Sequence, residues 1–202
     1  PFRNQPISAG RLCTGFLVKE DVIATAGRFA NENNVADLRI VFDYKMEDSW
    51  TPVTTFANES IYRGVKIIHR VGGPGKGDWA LVQLDRKVEG RTPVKVSKDD
   101  IYYDQPVYVT GHPLGLPLKY GGKVFLGDVM NPYFKADLHI YSGNSGAPVF
   151  DFETHELIGM VVGDENRDFR WTGKGWMSYH PEDKDTTCTR VLDLPSATRD
   201  SF

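Results

Sequence analysis

The sequence has little that points to a membrane, a nucleic acid or a helical fold. Its 202 residues contain no run of 18 or more apolar residues, so no membrane span is encoded. The formal net charge of −3 is too small to favour nucleic acid or an anionic membrane as a partner. No long stretch with helical periodicity is present either. These absences favour a globular chain built mainly from short elements.

Cysteine is scarce as well. Cys13 and Cys188 lie at opposite ends of the chain and pair only if the fold brings both ends together. Neither has metal-ligand spacing around it, and we expect no metal and no other cofactor. The chain begins at Pro1 without an initiator Met or a signal-peptide pattern, so we expect a processed product or an excised segment. The sequence therefore predicts no localisation.

Turn-forming residues and short β-like segments are abundant. The chain has 20 glycines and 12 prolines, which fit many tight turns. Ten short segments are rich in Val, Ile, Tyr and Phe, and Gly, Pro, Asn or Asp bound most of them. They are LCTGFLV, DVIATA, DLRIVFDY, VKIIHRV, WALVQL, QPVYVTG, GKVFLGDVM, GAPVFDF, ELIGMVVG and TCTRVLDL. This pattern predicts an all-β fold.

A polar stretch at about residues 85–104 divides these segments into two groups of five or six. Each group is large enough for a small closed barrel. We therefore expect two β-barrels with a cleft between them. A single β-sandwich is the alternative architecture.

The segment GNSGAP, residues 143–148, supplies two of the three requirements of nucleophilic hydrolysis. These requirements are a hydroxyl on a tight turn, a base that takes its proton, and donors that face the developing oxyanion. Ser145 supplies the hydroxyl, and the N–H groups of Gly143 and Ser145 can point into one pocket. The same segment also fits an ordinary hairpin turn.

Asp78 directly follows the Gly-rich segment GGPGKG and precedes the apolar segment WALVQL. A carboxylate at the mouth of a strand is placed to orient an imidazole, as the acid of a catalytic triad does. The alternative is a loop aspartate that caps a turn.

Taken in order, the segments CTGFLVKEDVIATAG, GDWALVQL, GNSGAPVF, LIGMVVG and TRV resemble the trypsin-like serine peptidases, from about residue 11 to residue 192. The resemblance implies a chymotrypsin-like fold of two six-stranded antiparallel β-barrels with a cleft between them. It implies a single peptidase domain, 1–202, with the first barrel at about 1–90 and the second at about 100–192. It places Ser145 on the nucleophile, Asp78 on the orienting acid, and the N–H groups of Gly143 and Ser145 on the oxyanion hole. A polypeptide is then the expected substrate or partner.

Two features look closer to the bacterial glutamyl-endopeptidase and Deg-type branch than to digestive trypsins. They are the segment TGHPLGLPLKYGGKV and Asn144 ahead of the serine. In trypsins an Asp precedes the serine and receives the new N-terminus on activation. With Asn144 there, we expect that activation switch not to operate.

The chain departs from the family at the general base. The family has TA-[AG]-H where this chain has TAGR, which puts Arg28 at the histidine position. A guanidinium stays protonated at physiological pH and cannot accept the serine proton. It can instead form a bidentate ion pair with Asp78. Losing a triad member lowers turnover by roughly 10⁴- to 10⁶-fold, so we expect the chain to be nearly inert.

We do not expect another histidine to replace the missing base. The five candidates are His69, His112, His139, His155 and His180. The family's cysteine after the catalytic histidine is also absent, because Phe29 stands there. The resemblance therefore implies that Cys13 has lost its disulfide partner.

The family places its substrate pocket at residues 138–144 and in the segment VVGDEN. His139, Val162 and Gly163 are the expected substrate-binding residues. Glutamyl endopeptidases tend to carry a histidine where this chain has Val161 or Val162, which weakens a preference for glutamate. The polar residues here also fit ordinary loop positions.

Three hypotheses follow. The first is a serine endopeptidase that Arg28 inactivates. The second is a natural pseudoprotease that binds a peptide or protein without cutting it. The third is a structural β module within a larger assembly.

Overall fold

The computed structural model describes residues 5–8, 13–72, 77–130, 133–138, 140–164, 169–171, 173–174, 176–178 and 186–190. Among these residues it contains 13 strands and three short 3₁₀ helices. The strands are β1 Gly15–Lys19, β2 Val22–Thr25, β3 Arg39–Val41, β4 Ile61–Val71, β5 Trp79–Leu84, β6 Pro106–Gly111, β7 Lys119–Met130, β8 Tyr133–Ala136, β9 Pro148–Asp151, β10 Leu157–Asp164, β11 Phe169–Trp171, β12 Trp176–Ser178 and β13 Thr186–Arg190. The helices are Val35–Asp37, Asn58–Ser60 and Pro113–Gly115. In these parts of the chain, no helix has the length and apolar character needed to cross a bilayer.

The strands form two antiparallel units, which confirms the predicted all-β architecture. The N-terminal unit is a five-stranded sheet in the order β1-β2-β5-β4-β3. The C-terminal unit is a closed barrel in the order β10-β13-β8-β7-β6-β9. Strands β11 and β12 form a separate two-stranded ribbon.

The N-terminal unit differs from the predicted six-stranded barrel, because the described residues form only five of its strands. The segment after β5 runs along the free edge of β1 but makes isolated hydrogen bonds there. The N–H of Val88 donates to Glu20 O at 2.6 Å and that of Val94 donates to Leu17 O at 2.9 Å. The described residues of this segment therefore form no sixth strand of the N-terminal unit.

Strands β1, β2 and β5 are buried on both faces. Because side chains alternate along a strand, each strand contributes to two cores. In β5, Ala80 and Val82 face the interior of the N-terminal unit. Trp79 and Leu81, on the opposite face, belong to a second core, which we call the seam core.

The seam core joins the two units. Trp79 and Leu81 pack there with residues of β10 from the C-terminal barrel, Leu157, Met160 and Val162. The interior of that barrel is a separate apolar cluster around Phe134. Burial in the seam core holds the start of β5 against β10. The residues just before β5 therefore lie close to β10.

Candidate active site

Arg28 and Asp78 lie next to each other because of how β2 pairs with β5. The two strands are antiparallel, and Thr25 at the end of β2 lies opposite Ala80 near the start of β5. The residues after Thr25 and before Trp79 therefore leave the sheet at the same edge. The backbone N–H of Arg28 donates to Asp78 Oδ1 at 2.8 Å. This bond holds the carboxylate whatever side chain residue 28 carries.

Gly27 allows this close approach. A Cβ at this position would lie 2.6 Å from the backbone oxygen of Val71 and 2.9 Å from that of Trp79. Such contacts require the backbone to move. Gly27 is a positioning residue that the sequence analysis missed, although it stands in the segment TAGR.

Ser145 lies on a turn that glycines shape on both sides. Gly143 has φ +100° and Gly146 has φ +86°, in the region that favours glycine. The turn is tied to the N-terminal unit, because the N–H of Thr14 donates to Ser145 O at 2.9 Å. The Thr14 hydroxyl donates to Gly143 O at 2.9 Å. The serine is half-buried, and its turn packs against the start of β1.

The guanidinium of Arg28 bridges the two units. Its Nη1 forms an ion pair with Asp78 and donates a hydrogen bond to the backbone oxygen of Val162. Its Nη2 donates to Ser145 Oγ. The structure thus brings together Arg28, Asp78 and Ser145, as the sequence analysis expected. The Val162 contact was not foreseen, because nothing in the sequence indicates which carbonyl faces the site.

The backbone N–H groups of Gly143 and Ser145 lie on the same turn as the Ser145 hydroxyl. Within the described part of the chain, neither the N–H of Gly143 nor that of Ser145 donates a hydrogen bond. A Cβ at Gly143 would lie 2.5 Å from His112 O, so this turn packs tightly on the loop after β6. As far as the described residues show, the turn therefore presents two free donors near a hydroxyl.

The expected substrate-binding residues lie in different settings. The Val162 side chain is buried in the seam core, and the backbone carbonyl oxygen of Val162 contacts Arg28 in the site. Gly163 is half-buried, and a Cβ there would meet nothing within 4 Å. His139 lies outside the described residues.

The described histidines have structural contacts of their own. His69 stacks on Trp79 at 5.0 Å between ring centroids, and His155 contacts Tyr108 edge to face at 5.7 Å. The His112 ring stacks on Tyr44 at 5.6 Å, and its Nδ1–H donates to Leu116 O at 3.0 Å.

Burial lowers the pKa of His112, which keeps its imidazole neutral at physiological pH. The ring is therefore a packing element of the loop after β6. The remaining candidate, His180, lies outside the described residues.

Both cysteines are free thiols. Cys188 is fully buried in the C-terminal barrel, and burial raises the pKa of its thiol. Cys13 lies in the N-terminal unit, where the Thr25 hydroxyl donates to its Sγ at 3.7 Å. Burial raises the pKa of Cys13, while the Thr25 contact and the charge of Arg28 oppose that rise.

A cavity of about 810 Å³ opens beside the site. Its lining includes Cys13, Phe29, Tyr44 and Phe56. The Arg28 guanidinium carbon lies 5.0 Å from the centroid of the Phe29 ring. The cavity has room for several side chains of an extended peptide.

Comparisons with known proteins concern the family and the fold of this chain. Residues 13–160 match the family described as the trypsin-like peptidase domain. Two solved structures from the scabies mite, inactivated protease paralogues S-I1 and S-D1, each superpose with a TM-score of 0.68 at 15% sequence identity. The first match covers 94% of this chain and 86% of the mite protein, and the second covers 96% and 89%. At this identity the likeness concerns the fold, which is chymotrypsin-like as predicted. A search of curated proteins found no match.

Proposed function

Because this chain belongs to the trypsin-like peptidase domain family, we propose that it is a serine endopeptidase that Arg28 renders catalytically impaired. Ser145 is the nucleophile, Asp78 is the orienting acid, and Arg28 occupies the position of the general base. The substrate or ligand is a polypeptide. The observation that carries the proposal is the contact of one guanidinium with both the carboxylate and the hydroxyl.

The chemistry of the site follows from these positions. In a competent site, the Ser145 hydroxyl attacks a peptide carbonyl while a base takes its proton, giving an acyl-enzyme. The N–H groups of Gly143 and Ser145 stabilise the oxyanion that forms. Asp78 orients the base. The hydrogen bond that its carboxylate accepts from the backbone N–H of Arg28 holds the carboxylate in place for this role.

Arg28 stops this reaction at the first proton transfer. Its guanidinium donates to Ser145 Oγ and has no lone pair with which to take the hydroxyl proton. It also engages the Asp78 carboxylate that would orient an imidazole. The loss of the base alone predicts a fall in turnover of roughly 10⁴- to 10⁶-fold.

Finer assignments form part of the same proposal. The chain is one peptidase domain, with the first unit at about 1–90 and the second at about 100–192. It lies nearer the bacterial glutamyl-endopeptidase and Deg-type branch, on the basis of Asn144. Asn144 is buried with 3% exposure, and its neutral amide needs no ion-pair partner there. His139, Val162 and Gly163 border the substrate.

The substitution Arg28→His tests the proposal. We expect it to raise hydrolysis of a fluorescent casein substrate by at least about 10³-fold, because an imidazole can accept the serine proton. The double substitution Arg28→His/Ser145→Ala is the control and should remain inactive. A folded Arg28→His protein with no gain in hydrolysis would contradict the assignment of these three residues.

A second candidate function is a pseudoprotease that binds peptides without cutting them. The bonds of the Arg28 side chain to Asp78, Val162 and Ser145 favour it, because they integrate the arginine into the site. The two mite structures are themselves inactivated protease paralogues. This candidate predicts peptide binding that survives Ser145→Ala and no hydrolysis by the Arg28→His variant.

A further inference from the structure

The site contains more hydrogen-bond donors than its own residues use. A guanidinium has five N–H groups, and the Arg28 side chain directs three of them to Asp78, Val162 O and Ser145 Oγ. Within the described residues, one N–H on Nη2 and the N–H on Nε have no acceptor. The backbone N–H groups of Gly143 and Ser145 are also unused there.

These unused donors lie close together. The amide nitrogen of Ser145 is three covalent bonds from the Oγ that accepts from Arg28 Nη2. Gly143 is two residues earlier on the same turn and has φ +100°. The Arg28 side chain is 41% exposed, so an incoming ligand can reach the guanidinium. Two backbone donors thus lie on the same short turn as the hydroxyl that a charged donor contacts.

The charges at the site are arranged unevenly. Asp78 contacts Nη1 and the backbone N–H of Arg28. No carboxylate of a described residue contacts Nη2, so this side remains a cationic donor facing the turn. With neutral histidine at position 28, the same point would present only backbone dipoles. The arginine therefore adds a charged donor beside the turn, which a histidine in its neutral form would not supply.

From this arrangement, we propose that the site is a receptor for the C-terminal carboxylate of a peptide. One carboxylate oxygen accepts from the N–H groups of Gly143 and Ser145, and the other accepts from the Arg28 guanidinium. The inference rests on the proposed function, because it uses the same pair of backbone donors. A carboxylate suits this site better than an internal peptide carbonyl, because it has a second oxygen and a full charge for the guanidinium.

A pair of peptides that differ only at the C-terminus tests the inference. The two peptides are N-acetyl-tetraalanine with a free C-terminal carboxylate and the same peptide with a C-terminal carboxamide. Alanine is used throughout because the side-chain preference of the site is not assumed. Each is titrated into the ¹⁵N-labelled chain to about 10 mM, since so small a ligand is expected to bind in the millimolar range. We expect the carboxylate to shift the amide signals of Gly143 and Ser145 and to bind about tenfold more tightly than the carboxamide, because charge-assisted hydrogen bonds are stronger.

Three substitutions locate the source of that preference. Arg28→Gln should bring the two affinities to within about twofold, because it removes the charge and keeps an amide donor. Arg28→Lys should keep a preference for the carboxylate with weaker binding, because an ammonium supplies a point charge without the planar fork. Arg63→Gln is the matched control, since Arg63 is exposed on β4, and it should leave the tenfold preference unchanged.

Each remaining outcome overturns the inference. Equal affinities in the native chain, no shift of the Gly143 and Ser145 signals, or a preference that persists in Arg28→Gln would each do so. Failure of the proposed function has a different signature. If Arg28→His stays inert while the native chain still prefers the carboxylate, the peptidase assignment fails and the receptor stands. If Arg28→His hydrolyses casein while the native chain shows no preference for the carboxylate, the peptidase assignment stands and the receptor proposal fails.

Discussion

The turn that carries Ser145 depends on the absence of a side chain at Gly146, and Gly146→Ala measures that dependence. A Cβ there would overlap the backbone oxygen of Thr14 and lie 2.8 Å from Thr25 Oγ1 and 2.9 Å from the Ala26 nitrogen. These neighbours cannot move freely, because the Thr25 hydroxyl donates to Thr14 O at 2.7 Å. The φ of +86° adds backbone strain.

Gly90→Ala is the matched control, because Gly90 has φ +69° but a Cβ there meets nothing within 4 Å. Both substitutions carry a strain of roughly 1–2 kcal/mol. Overpacking adds roughly 1–3 kcal/mol to Gly146→Ala alone.

At roughly 2–4 °C of melting temperature per kcal/mol for a chain of this size, we expect a loss of about 2–8 °C for Gly90→Ala. The loss for Gly146→Ala should be about 4–20 °C. Calorimetry of both variants with the native chain measures the difference. Equal losses would refute the packing described for this turn.

Three further predictions concern titratable side chains. Because burial raises the pKa of the Cys13 thiol, iodoacetamide at pH 8 should alkylate Cys13 more slowly than it alkylates the amino acid cysteine in solution. Arg28→Gln should slow this alkylation further, because the positive charge of Arg28 lowers the pKa of Cys13. Intact-mass analysis should show Cys188 unmodified until the protein unfolds, because it is fully buried. Burial lowers the pKa of His112 in the folded chain below its unfolded value of about 6.5. The stabilisation of the fold by the neutral ring is therefore complete above pH 6.5 and is lost as the pH falls below that value. Urea unfolding between pH 7 and pH 5 should show a loss of up to about 1.4 kcal/mol per pH unit that His112→Gln removes.

The sequence predicted the architecture well because its strands carry their signals locally. Segments such as WALVQL and ELIGMVVG are apolar, short and bounded by turn residues, and both form strands. In the N-terminal unit the described residues form five strands where six were expected, and the segment after β5 makes isolated hydrogen bonds beside β1. A polar stretch does not by itself reveal how many hydrogen bonds it makes along the edge of a sheet.

The contacts of the site were only partly predictable. The proximity of residues 28, 78 and 145 was predicted from a resemblance in the order of segments. Such a resemblance indicates which distant parts of a chain lie together in the fold. The carbonyl of Val162 and the close approach at Gly27 depend on how β10 and β5 pack across the seam core. Backbone atoms have no sequence signal of their own. The roles of these residues remain a proposal that experiments on Arg28 decide.

The central claim is that a permanent cation at position 28 keeps the Ser145 hydroxyl from reacting. The most direct measurement is the rate at which a fluorophosphonate phosphonylates Ser145, read by intact mass in the native chain, Arg28→His and Arg28→Gln. We predict fast labelling of Arg28→His, with Arg28→Gln as unreactive as the native chain, because glutamine vacates the guanidinium's place without supplying a base. Rapid labelling of the native chain, or no labelling of a folded Arg28→His protein, would contradict the account.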